Sequence, residues 1–220
     1  MSENRYDLYK EVHKGIRKEL FDLAMLVGSM DFQNPISLET LKETFNRTYN
    51  LLETHAHSED TYVEPLINKV NVDIAKKTSS KHKNLEDDIN ELRQKLSGMD
   101  AHKKDSVVQG HAFYLQLTIF IAEYIKHIAD EEKIIMPILW NNYNDEELIN
   151  TSSKIRMGIP EPIMKNFMTC MIPAMNHSER VAMFTGMKMS APEEVYYGMC
   201  MLVQSFLSSS EWRKLENAVN

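Results

Sequence analysis

Apolar positions recur at steps of three and four along most of the chain, which is the period of an amphipathic helix. Tyr6, Tyr9, His13, Ile16 and Leu20 form the first stripe. Leu38, Leu41, Phe45, Thr48, Leu52, His55, Glu59 and Tyr62 form the second, and His82, Leu85, Ile89, Leu92 and Leu96 the third. The fourth runs through Phe113, Leu117, Phe120, Tyr124, His127, Glu131, Ile134 and Ile138. Polar breaks fall around Gly28–Pro35, Val70–Ser80 and Ser97–Gly110, and Ser37 after Pro35 fits an N-cap. Four long helices joined in this way predict an all-α protein with an antiparallel four-helix bundle over residues 1–140. Residues 141–156 read as a polar linker or a short helix. Residues 157–220 read as a helical C-terminal extension rich in methionine, with helices over Glu161–Met175, Ser178–Met187, Pro192–Leu207 and Glu211–Ala218.

Within the first four stripes some apolar positions hold polar residues: His13, His55, Glu59, His82, His127 and Glu131. The pattern H-x-x-x-E-x-x-x-x-x-P occurs twice, as His55–Pro65 and His127–Pro137. Residues four apart share a helix face, so each copy aims an imidazole and a carboxylate at one point. Each proline lies a turn and a half beyond its glutamate, where a helix kinks or stops. Buried carboxylates are costly unless paired or bound to metal. A cation resolves the conflict for all six residues at once.

Composition narrows the partners. The chain has 220 residues, is 43% hydrophobic and carries a net charge of −7. That balance, with no basic stripe, argues against nucleic acid. The longest apolar run, Ile134–Trp140, is too short to cross a membrane, and the first residues, MSENRYDLYK, lack an apolar signal core. A cytoplasmic protein is expected. Cys170 and Cys200 form no CxxC motif and read as free thiols.

The order of His13, then His55 with Glu59, then His82, then His127 with Glu131 resembles the hemerythrin-like (HHE cation-binding) domain family, over about the first two-thirds of the chain. The resemblance implies a non-heme di-iron centre, with the two glutamates bridging the ions and the histidines capping them in pairs. Oxygen-carrying hemerythrins place a second histidine one turn after the third-helix histidine, where this chain has Glu86, and use a wider His-to-Asp spacing on the fourth helix. One fewer histidine leaves an open position and favours redox reactivity or sensing over reversible oxygen transport. No Glu-x-x-His occurs, which separates the chain from ferritin-like di-iron bundles.

Imidazole and carboxylate together suit iron, manganese or zinc, and the resemblance tips the choice to iron, with zinc or manganese as substitutes. The expected ligand is a small diatomic molecule or peroxide. Tyr9, Tyr62 and Tyr124 lie within a turn of the proposed ligands and read first as packing residues, then as hydrogen-bond donors to the site. His57, His102 and His111 read as surface residues, and His177 as part of a helix start. The many methionines read as adaptable core filler rather than copper ligands. Three roles are open for the extension: packing on the bundle, forming a homodimer or partner surface, or covering the metal pocket. The alternative to gas or peroxide chemistry is an iron-responsive interaction module without turnover. No nucleophile constellation, phosphate loop or nucleotide fingerprint supports an enzyme acting on an organic substrate.

Overall fold

Several helices in this chain begin where a short polar side chain can accept from free backbone N–H groups. Asn34 accepts from the N–H groups of Ile36 and Ser37 and so starts α2 (Pro35–Ser58). The cap is therefore Asn34 and not Ser37, because Pro35 has no N–H to lose and its fixed φ suits the first helical position. Asn71, Asn144 and Asn176 do the same for α4 (Val72–Ser97), α7 (Asp145–Gly158) and α9 (His177–Ser190). The computed structural model describes residues 5–219 and is all-helical, with no strand among the described residues. The remaining helices are α1 (Lys10–Ser29), α3 (Glu64–Val70), α5 (Ser106–Asp130), α6 (Met136–Asn142), α8 (Glu161–Ala174), α10 (Glu193–Gln204) and α11 (Ser209–Val219). None of the described helices is long and apolar enough to cross a membrane.

Two of the expected breaks are shorter than the sequence suggests. Asn71 alone separates α3 from α4, so residues 72–80 are helical, and α5 begins at Ser106 rather than after Gly110. At the other end of the chain, Tyr6 and Tyr9 precede α1 instead of riding on it.

Pro65 and Pro137 do not stop the helical run. Each follows a π-helical turn, Glu59–Val63 in one case and Glu131–Ile135 in the other. The Glu64 N–H bonds the Glu59 carbonyl, and the Met136 N–H bonds that of Glu131, in both cases five residues back. Pro65 and Pro137 have no N–H to donate, and their rings would crowd the carbonyl four residues earlier in a regular helix. Widening the turn by one residue removes that conflict. It also rotates everything that follows. Past Glu131 the buried positions are Ile135, Met136 and Leu139, while Ile134 is 44% exposed. Past Glu59 they are Val63 and Ile67, with Tyr62 only half-buried. The stripes drawn through Tyr62, Ile134 and Ile138 therefore slip by one residue at the glutamates.

The four long helices, α1, α2, α4 and α5, enclose the main core. Ile16, Leu20, Leu41, Phe45, Leu92, Phe113 and Leu117 are fully or almost fully buried there. Beyond the two π-turns a second apolar cluster forms from Tyr9, Val63, Ile67, Ile135, Met136, Leu139 and Leu148. Leu148 lies on α7, so that segment is a packed helix and no linker. Helices fill the extension close to the expected ranges, and Ile172, Met175, Phe184, Val203 and Leu215 give it a small core of its own.

α8 joins the two parts. Its Phe167, Cys170 and Met171 belong to the main core. Gly15 of α1 permits this approach: a Cβ there would come within 2.7 Å of Met171 Cγ and 2.9 Å of its Cα. Glu179 on α9 adds a charged clamp, accepting from Lys14 at 2.6 and 2.7 Å and pairing with Lys10 at 2.9 Å. Burial opposes ionisation of Glu179, but Lys14, the Asn176 backbone N–H and Lys10 outweigh it and hold its pKa at about 2. The two cysteines are free, and burial pushes the Cys170 thiol up to about 12.

A depressed carboxylate pKa stabilises the fold above the unfolded value and loses that contribution as pH falls through the folded one. Attachment of α9 to α1 is thus expected to weaken between pH 4.5 and about 2. Amide hydrogen exchange at α9 should rise over this window. In Glu179→Gln it should already be faster at neutral pH and less sensitive to acid. An unchanged exchange profile in the variant would show that the clamp does not hold the extension.

Candidate metal centre

The last turn of α2 carries His55, with Glu59 opening the π-turn after it, and the last turn of α5 carries His127, with Glu131 placed likewise. α1 contributes His13 and α4 contributes His82. All six side chains are buried, and they meet between the main core and the second apolar cluster. His13 Nε2 lies 3.4 Å from Glu131 Oε2 and 4.0 Å from Glu59 Oε1. His55 Nε2 is 3.5 Å from Glu59 Oε2. His82 Nε2 is 3.4 Å from Glu59 Oε2 and 3.2 Å from Glu131 Oε1, and His127 Nε2 is 3.1 Å from Glu131 Oε1.

These atoms sort into two groups. Ligand atoms of His13, His55, Glu59 and Glu131 all lie within 4.8 Å of one another, as do those of Glu59, His82, His127 and Glu131. Both glutamates belong to both groups. His13 Nε2, His55 Nε2, both oxygens of Glu59 and Glu131 Oε2 have no hydrogen-bond partner although fully buried. An unsatisfied buried polar group costs about 1–3 kcal/mol, more when charged. The chain satisfies its other buried carboxylates. Glu19 lies 3.0 Å from Arg47 Nη2 and 2.9 Å from the Thr48 hydroxyl, and Glu179 has its two lysines. Among the described residues, both Glu59 oxygens and Glu131 Oε2 face imidazoles without a hydrogen-bond partner. Two carboxylates shared between two nitrogen pairs are a fitting donor set for two cations.

The carboxylate next in sequence to each glutamate holds a histidine from a different helix. Asp60 Oδ1 lies 2.6 Å from His82 Nδ1, and Glu132 Oε1 lies 3.1 Å from His13 Nδ1. Arg17 in turn donates to both oxygens of Glu132, at 2.7 and 2.9 Å. Such contacts fix the ring and keep the hydrogen on Nδ1, leaving Nε2 facing inward. These three residues are missing from the ligand pattern read in the sequence. Their signal there is the acidic residue that follows the glutamate in both copies, Glu59-Asp60 and Glu131-Glu132.

Charge is distributed unevenly in the metal-free cage. Burial opposes a charge on His82, but its contacts with Asp60, Glu131 and Glu59 outweigh that and raise its pKa to about 12. Burial lowers His55 to about 4. Burial likewise disfavours ionised Glu131, yet His127 and His82 hold it well below the usual carboxylate range. Tyr9 stacks on His13 with ring centroids 4.9 Å apart, and Tyr124 meets His127 edge-on at 5.9 Å. Burial and the nearby glutamates keep both phenols protonated, well above their ordinary pKa.

The surroundings of the two groups differ. A cavity of about 730 Å³ reaches His82 and His127 between α2, α4 and α5, and Glu53, His57, Lys83 and Glu86 give it a polar lining. A smaller cavity of about 140 Å³ reaches His55 and Glu59 beneath α8. Tyr62 lines the larger cavity and Glu86 is exposed on it. His57, His102, His111 and His177 are exposed, and His177 is the first residue of α9.

Comparison with known families gives one match: the Hemerythrin HHE cation binding domain, over residues 4–139. No curated protein and no solved structure matches the chain.

Asp60→Asn and Glu132→Gln keep side-chain shape while weakening the hold on His82 and His13. Each is expected to lower metal affinity by about 10–100-fold, measured by competition with a chelator, with little change in helix content. Wild-type affinity in both variants would exclude an orienting role.

Proposed function

Since the chain belongs to the hemerythrin HHE cation-binding family, we propose that residues 1–140 form its antiparallel four-helix bundle and that the buried cage holds two iron ions. We further propose that the protein binds, senses or reacts with dioxygen, nitric oxide or peroxide there. The observation that carries this reading is the set of orphaned ligand atoms in two groups that share both glutamates. His13 and His55 would hold one ion and His82 and His127 the other, with Glu59 and Glu131 between them. Zinc and manganese can occupy the same donors. Bound ferrous iron supplies electrons and open coordination positions to a small ligand.

The chain's own residues prepare that chemistry. The apolar clusters flank the cage on two sides and shield it there from water. Asp60 and Glu132, the latter anchored by Arg17, hold the His82 and His13 rings so that Nε2 stays available. The protonated phenols of Tyr9 and Tyr124 pack against His13 and His127 without adding negative charge.

Protein produced with ample iron is expected to retain about two irons per chain, as the two ligand groups imply. Its near-ultraviolet absorption should change on adding nitric oxide, dioxygen or peroxide. A fully folded chain that retains no metal would overturn the metal reading. A loaded chain that responds to none of the three ligands would overturn the reactivity.

A second reading, an iron-responsive module without turnover, draws support from the docking of the extension on α1. Gly15, Lys10 and Lys14, which contact α8 and α9, flank His13 in sequence. Loss of metal would free His13 and loosen α1 beneath the extension. Hydrogen exchange should then rise in α8 and α9 when metal is removed. An increase confined to the ligand-bearing helices would exclude signalling through the extension.

A further inference from the structure

The cavity beneath α8 differs in kind from the one on the opposite side. Met164, Phe167, Met168 and Met171 from α8 and Met183 from α9 supply its outer wall, and Tyr9 and Val63 add to the inner one. His55 and Glu59 close it on the metal side, and the His55 Nε2 and both Glu59 oxygens are among the buried atoms left without partners. Charged residues occur only where the lining is more exposed: Arg156 is exposed, and Asp7 and Glu11 are half-buried. The better-buried part is lined mainly by apolar side chains, with the candidate ligands, the Ser58 hydroxyl and the Tyr9 phenol as its polar groups. A dry apolar cavity of about 150 Å³ takes up benzene or xenon from water; this one measures about 140 Å³.

From this geometry we propose that the C-terminal extension builds a docking chamber for an uncharged diatomic gas against the His13–His55 side of the centre. The proposal rests on the metal reading above and adds a location, a ligand class and a role for residues beyond the family match. Four thioethers and a phenyl ring offer soft, polarisable contacts and no hydrogen-bond donor, which suits a molecule without charge. An anion would have to give up its hydration against methionine, so the chamber disfavours it. Charged or strongly hydrated species have the polar cavity beside His82 and His127 instead.

Dissolved dioxygen is paramagnetic and relaxes nearby methyl groups. In the zinc-loaded, diamagnetic full chain with isotope-labelled methionine methyls, oxygen should relax Met164, Met168, Met171 and Met183 several-fold more than two references. One reference is Met136, fully buried and lining neither cavity; the other is Met157 and Met189, both 84% exposed. Filling the chamber with Met164→Phe or, separately, Met168→Phe should reduce the effect at the remaining chamber methyls. In iron-loaded protein the same variants should slow nitric oxide association several-fold while leaving metal content and azide binding unchanged. Chamber methyls relaxed no more than Met136 would overturn the proposal, as would wild-type nitric oxide association in both filled variants. A wild type that concentrates oxygen in the chamber but retains no metal would instead overturn the metal reading and leave the cavity as a gas site alone.

Discussion

Two carboxylates are buried in the middle of an apolar helical core with histidines as their nearest polar neighbours, and most of the molecule is arranged around that fact. Removing a charge from water costs several kcal/mol even after the protein relaxes. Glu19 and Glu179 meet that cost with arginine, threonine and lysine donors. Glu59 and Glu131 do not, and their unassigned lone pairs converge with those of four imidazoles. An apolar core of this size could have been closed with leucine at all six positions. That it holds donors instead, with apolar clusters on both sides, makes a buried cation the physical counterpart of the arrangement.

The π-turns and the outer carboxylates set how finely the donors are placed. A proline a turn and a half after each glutamate makes a regular helix untenable there, and the wide turn takes up the extra residue. Without that slip, Tyr62 and Ile134 would face inward in place of Val63 and Ile135. The same turns carry Asp60 and Glu132, each holding a histidine from another helix. Each copy of the motif therefore supplies two ligands and steadies a third, which ties α2 to α4 and α5 to α1.

The extension gives the two halves of the centre unequal surroundings. α8 packs against α1 through Gly15 and shares the main core, so it belongs to the wall of the site. One half of the cage sees methionine and phenylalanine, the other a larger polar cavity. A paired arrangement of ligands thus coexists with asymmetry in access, and residues outside the family match supply the methionine-rich side of it.

The sequence by itself determined the helical class, the six converging residues and the family. These follow from short-range regularities: apolar residues every three or four positions, and His and Glu one turn apart in a repeated pattern. It also marked the extension as helical. The tertiary structure decided what depends on neighbours from distant segments. Asp60 and Glu132 acquire a role only because α4 and α1 bring His82 and His13 to them. The register past each glutamate could not be extrapolated, since a proline can be accommodated by a kink, a stop or a wide turn and only packing selects among them. The methionines of α8 read as filler in one dimension. Their place beside His55 and Glu59 exists only once Gly15 lets α8 close on α1, because a cavity is a property of surfaces brought together and no local sequence period encodes it.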